Sequence, residues 1–211
     1  MDRRTEQLLL SGMSEIMKKI AVTGTMASGK STAVSYLREL NYPVFDADAV
    51  SRKCLDPTEE GYTEVIRHFG REILNEDDTI NRKALASVIF GNDENRLTLN
   101  GIVHPYVKRK LFEFFAEHED HPLVFAEIPL LYEVHWEDLF DQVVVITCDR
   151  RIAIARCIEY RNYTAEEAIK RLDAQADVQK QIAEADQVFY NNGTQEELRQ
   201  EIDLWLAKIK N

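Results

Sequence analysis

Short, near-continuous apolar runs alternate along this chain with longer stretches in which hydrophobic positions recur every three or four residues. The runs are IAVT at 20–23, PVF at 43–45, PLVFAEIPLLYE at 122–133, DQVVVITC at 141–148 and DQVFY at 186–190. Strands of a parallel sheet read this way because both of their faces are covered. After the first run come a small, polar loop and then STAVSYLREL, whose Val34, Leu37 and Leu40 mark one face of a helix. The second run closes on DAD, placing Asp46 and Asp48 at the end of a strand expected to neighbour the first. Strand ends of this kind are where open α/β sheets bind ligands.

From Pro57 to Asp120 the periodicity is helical, with Gly70 as a stop signal and Asn81 and Asn92 as caps for the next two segments. This stretch reads as a helical excursion, residues 57–121, between two strands of one sheet. Residues 149–185 are again helical and heavily charged. Thr164 with Glu167 and Thr194 with Glu197 spell two capping boxes, the second opening a final helix through Ile209. The expected fold is α/β, a parallel sheet of βαβ units with helices on both faces.

Composition narrows the function classes. The chain has 211 residues, 45% hydrophobic, which suits one domain with a smaller excursion. Its 26 Lys and Arg against 37 Asp and Glu leave a formal charge of -11, which disfavours a broad grip on nucleic acid or an anionic membrane. The 3 cysteines, Cys54, Cys148 and Cys157, form no CxxC pair and no even framework, so a reducing cytosol is expected. His118 and His121 read as a solvated loop rather than a metal site. No apolar run approaches the ~20 residues of a membrane span. The first 16 residues, with only Leu8–Leu10 as an apolar run, read as an extension outside the domain, and Met13 and Met17 are alternative starts.

Gly24, Gly29, Lys30 and Ser31 satisfy G-x-x-x-x-G-K-[ST] between a predicted strand and a predicted helix, the context that motif requires. The amides of Met26, Ala27, Ser28 and Gly29, and the helix start at Ser31 and Thr32, can cradle phosphates. Lys30 adds a full charge near the β and γ groups and Ser31 can ligate Mg²⁺. Met26 excludes the dinucleotide pattern G-x-G-x-x-G. Thr25 and Ala27 must each accommodate a Cβ, so negative φ is expected at Ala27, or else strain in the loop.

The loop implies a nucleoside triphosphate, and the reaction must come from its surroundings. Asp48 can accept the proton of an acceptor hydroxyl and hold it in line with the γ-phosphate; Asp46 or Asp48 can equally cap the helix that follows. Arg156, Arg161 and Arg171 can meet phosphoryl oxygens from a lid or form a solvated, salt-bridged face. Glu127, ending a strand, suits either a metal-associated carboxylate or a buried pair.

AVTGTMASGKST, VFDADAVSR, FG at 69–70, INRKAL, LNGIVHP, IPLLYE, AR at 155–156, AQ at 174–175 and AD before YNNG follow one another in order. Together they resemble the dephospho-coenzyme A kinase family from Met17 to the C-terminus. The resemblance implies a P-loop fold like that of nucleoside-monophosphate kinases: a five-stranded parallel core (17–56, 122–148 and 186–211), a helical acceptor region (57–121) and a lid (149–185). It implies transfer of the ATP γ-phosphate, with Mg²⁺, to the 3′-hydroxyl of dephospho-coenzyme A in the cytoplasm. Asp48 is implied as catalytic base, acting with Lys30 and Arg156. Asp46, Arg82, His104, Pro129, Leu130, Leu131 and Glu133 fall on acceptor-side motifs, and Asn192 lies near the nucleotide. The chain departs from the family pattern at Thr25, Ala27 and Asn81, and at Tyr160, where a second lid arginine is usual and the next arginine here is Arg161. Another small-molecule P-loop kinase and a nucleotide-dependent switch are the alternatives.

Overall fold

The computed structural model describes residues 17–175 and 178–210; the amino-terminal extension lies outside the described residues. The chain divides into two compact units, one made of residues up to Phe45 and from His118 onward, the other of Asp46–Glu117.

The first unit is built on a five-stranded sheet ordered β2-β3-β1-β4-β5. The strands are β1 (Lys18–Gly24), β2 (Val44–Asp46), β3 (Leu123–Glu127), β4 (Gln142–Thr147) and β5 (Gln187–Tyr190). β1 pairs in parallel with β3, Ile20 opposite Phe125, and with β4, Val22 opposite Val144. β4 pairs in parallel with β5. One expectation is corrected here: β2 does not neighbour β1, because β3 lies between them. Packing accounts for the order. β1, β3 and β4 are long and almost wholly buried, whereas β2 has 3 residues with only Phe45 buried. A short, half-covered strand belongs at a sheet edge.

Helix α1 (Lys30–Glu39) follows β1 and buries Ala33, Val34 and Leu37. The final helix of this unit, Gln195–Ile209, buries Leu198, Ile202, Trp205 and Leu206. These two helices join Ile20, Val22, Phe125, Val144, Ile146 and Phe189 in one core. The Trp205 ring meets Phe125 and Phe189 edge-on, with centroids 6.3 Å and 5.7 Å apart.

The second unit carries α2 (Ala47–Lys53), α3 (Glu60–Phe69), α4 (Arg82–Ile89) and α5 (Asp93–Glu117). Gly70 ends α3 at φ 80°. Asn81 caps α4 by accepting from the Lys83 and Ala84 amides, and Asn92 accepts from Asn95. Val65, Phe69, Ile73, Ile80 and Leu85 form its own core. Tyr106 of α5, fully buried, donates to Glu59 Oε2 at 2.7 Å and so ties α5 to the start of α3.

After β4 come α6 (Arg150–Arg161), α7 (Ala165–Asp173) and α8 (Val178–Glu184), and after β5 the helix Gln195–Ile209 becomes α9. Both expected capping boxes form: Thr164 and Thr194 each accept from the amide of their partner glutamate, which accepts in return. Because Trp205 fills the space between two strands and α9, Trp205→Ala is expected to cost about 3–5 kcal/mol. Urea unfolding followed by circular dichroism measures it.

Candidate active site

The site begins where β1 stops. Gly24 has φ 143°, and a Cβ placed on it would lie 1.9 Å from the carbonyl oxygen of Ile146 on β4. Gly29 has φ 97°, and its Cβ would lie 2.1 Å from Asn191 Nδ2. Both glycines of the motif are therefore required twice over, by backbone conformation and by a neighbour. The loop between them does not follow the first of the two alternatives expected for it. Ala27 has φ 60°, in the left-handed region, rather than a negative φ. For an L-residue that conformation costs about 1–2 kcal/mol.

Lys30 opens α1, and its Nζ donates to the carbonyls of Gly24 and Thr25, each at 2.8 Å. The ammonium is thereby folded back over the loop. The N-cap of α1 is Gly29, which has no side chain to cap it, and its first turn holds no acid. The orphan amides and positive end of this helix are left for an external anion. Ser31 is exposed beside them and Thr32 is half-buried.

The loop's carbonyls are turned away by other elements of the same unit. Asn191, buried at the end of β5, donates to Ser28 O at 2.7 Å. Cys148 Sγ lies 3.9 Å from Ala27 O. The next residue, Asn192, exchanges two hydrogen bonds with Asp149, at 2.7 Å and 3.1 Å, and closes the turn between β4 and α6. Sequence reasoning named Asn192 and missed Asn191; only the end of β5, set opposite the loop, distinguishes the two.

Arg156 on α6 reaches Gly193 O with Nη2 at 3.4 Å, while its buried Nη1 has no hydrogen-bond partner among the described residues. The guanidinium also stands beside Cys148, whose thiol burial pushes above its ordinary pKa and Arg156 pulls down. Arg161 is exposed, and Arg171 stacks on the Tyr163 ring at 4.7 Å. Glu127 closes β3 opposite Val22 and is half-buried. Beyond it, Thr23 Oγ1 donates to Pro129 O at 3.4 Å, Leu130 and Glu133 are exposed, and Leu131 is fully buried.

The second unit carries the remaining candidates. Asp46 accepts from the Ala49 amide at 2.8 Å and is thus the cap of α2, leaving Asp48 exposed in the first helical turn. Asp48 therefore sits on a helix, not at the strand end expected for it. Arg82, first residue of α4, is exposed. His104 is half-buried on α5, and burial holds its imidazole below the ordinary pKa.

A phosphate loop joining the first strand and first helix of a five-stranded parallel sheet defines the P-loop class of nucleoside-triphosphate-binding proteins. The sequence profile described as Dephospho-CoA kinase matches residues 18–197. The chain is 38% identical over 199 residues to the dephospho-CoA kinase of Listeria monocytogenes serovar 1/2a, covering 92% of this chain and 98% of that protein. It also resembles a crystal structure from Thermus thermophilus, with TM-score 0.80, 32% identity and coverage of 92% and 98%. The dephospho-CoA kinase from Campylobacter jejuni aligns with TM-score 0.65 and 27% identity over 92% of this chain and 97% of that one. The chain belongs to the dephospho-CoA kinase family and is a kinase.

Two measurements follow from this geometry. Ala27→Gly removes a left-handed Cβ, and the variant is expected to gain about 0.5–1 kcal/mol in thermal melts, the relief exceeding the entropy of an added glycine. His104 binds a proton less readily folded than unfolded, so the stability owed to its neutral ring is intact above about pH 6.5 and is lost as pH falls through the depressed folded value. His104→Asn should lose less stability than wild type between about pH 7 and about pH 5, measured by denaturant titration at each pH.

Proposed function

We infer that this chain transfers the γ-phosphate of ATP to the 3′-hydroxyl of dephospho-coenzyme A, releasing ADP and coenzyme A in the last step of coenzyme A synthesis. The observation that carries the nucleotide half is the uncapped, acid-free start of α1 beneath Lys30. The family carries the acceptor half.

The loop amides after Met26, whose own N–H donates to Gln175, and the start of α1 bind the phosphates, and Lys30, exchanging its carbonyl partners for phosphate oxygens, stabilises the loose transition state. Arg156, with one buried nitrogen unpaired among the described residues, supplies a planar donor toward the nucleotide. Asp48 is the general base: its exposed carboxylate takes the proton from the attacking hydroxyl. Asp46, Arg82, His104, Pro129, Leu130, Leu131 and Glu133 belong to acceptor binding, Asn192 to nucleotide binding, residues 57–121 to the acceptor region and 149–185 to the lid.

Among the described residues no group of three His, Cys, Asp or Glu is placed to hold a metal. Mg²⁺ needs no such group, because it keeps several waters and takes one or two protein oxygens together with substrate phosphates. The exposed Ser31 hydroxyl is such an oxygen. When bound, the ion would neutralise charge on the β- and γ-phosphates. The site of action proposed with this reaction is the cytoplasm; no helix of the described residues is long and apolar enough to cross a membrane.

Mixing the chain with ATP, Mg²⁺ and dephospho-coenzyme A should yield coenzyme A by mass spectrometry. ADP release with a different alcohol or nucleotide acceptor, and none with dephospho-coenzyme A, would replace this reading with another small-molecule kinase. Asp48→Asn is expected to keep ATP binding and lower turnover by ~10²-fold or more; turnover near wild type removes Asp48 from the mechanism.

A further inference from the structure

Three side chains from outside the phosphate loop hold its outer turn, and one differs in kind. Asn191 and Cys148 engage carbonyls, those of Ser28 and Ala27. Gln175, in the turn after α7, does the reverse: its Oε1 accepts from the Met26 N–H at 2.9 Å. Amide donors are what this loop offers to phosphate, so a protein acceptor on one of them needs a reason.

The amides that meet an anion at a helix start are those of the first turn, which have no partner inside the helix. Met26 lies upstream of that turn, half-buried, and its N–H needs a partner of its own. Next to it stands Ala27 at φ 60°. Backbone strain of this sort persists only where the surroundings over-determine it. Here the determination is a pair of clamps, Gln175 on the amide before Ala27 and Asn191 on the carbonyl after it.

We propose that Gln175 is a positioning residue for phosphate transfer: by pairing the Met26 N–H it holds Ala27 left-handed and keeps the Gly24–Gly29 loop in its phosphate-receiving form. It touches no substrate and acts through the loop backbone. A neutral amide oxygen suits the task, since a carboxylate in its place would oppose the charge of the incoming triphosphate. The inference deepens the nucleotide half of the proposed function and rests on that reading.

Its signature is coupling to Ala27. If Gln175 works against the strain there, its loss should matter less once the strain is gone. kcat/KM for ATP is measured for wild type, Gln175→Ala and Gln175→Met, the last matching the side chain's length without an acceptor oxygen, each also combined with Ala27→Gly. Both substitutions are expected to lower kcat/KM for ATP about tenfold in the native background, the scale of one lost hydrogen bond. In the Ala27→Gly background the loss should fall below about threefold, while KM for dephospho-coenzyme A moves less than about twofold. Losses equal in the two backgrounds, or no loss in either, overturn the proposal. Circular dichroism melts check that every variant folds. Should the wild type transfer no phosphate to dephospho-coenzyme A, the proposed function alone fails. The same ratios read from ATP binding by titration calorimetry then decide Gln175.

Discussion

Everything in the candidate site depends on one close approach: the backbone of the phosphate loop against the ends of β4 and β5. At Gly24 the chain passes so near the Ile146 carbonyl that no side chain fits, and at Gly29 a side chain would push the Asn191 amide off the loop. With those contacts made, the loop's carbonyls are drawn off to Lys30, Cys148 and Asn191. The start of α1, with its positive end, then faces the space the loop encloses. The anion site is thus a by-product of satisfying backbone acceptors elsewhere, and Ala27 absorbs the residual strain.

An overall charge of -11 is no obstacle to binding a polyanion, because the relevant field is local. Screening limits distant surface carboxylates to about a Debye length, while the α1 terminus and Lys30 act at contact. Several of the chain's acids are engaged in local structure: Glu39, the first after Lys30, pairs with Arg199. Asp46 is committed to capping α2, and the glutamates of the capping boxes are held below their ordinary pKa by hydrogen bonds from the Thr164 and Thr194 backbone amides and hydroxyls. In the second unit, burial and the Glu59 carboxylate push the Tyr106 hydroxyl pKa up, so it remains a donor locking α5 to the start of α3.

Much of this was legible in the chain, and the reason is range. The Gly70 stop, the Asn81 cap and both capping boxes are contests settled within a few residues, and the structure shows each where the pattern puts it; the apolar run at 122–133 is strand only over Leu123–Glu127, and of the α1 face Val34 and Leu37 are buried while Leu40 stands exposed past the helix end. The glycine-lysine motif is equally local. Asp46 and Asp48 were separable only in part: either could cap α2, and the geometry of the β2 exit chose Asp46.

What lay beyond reach involves partners distant in sequence. The placing of β3 between β1 and β2 depends on which strands can be buried on both faces, a comparison made across the whole sheet. Asn191 rather than Asn192 meets the loop because β5 ends in register with Thr147, one residue before the turn that Asn192 closes. The left-handed Ala27 and its Gln175 clamp exist only once the segment after α7 is packed beside the loop. The sequence by itself therefore determined the elements, the phosphate chemistry and the family, all carried by short-range pattern. The tertiary structure decided strand order, loop conformation and which polar side chains hold it, since each is a balance between groups that meet only when the chain has folded.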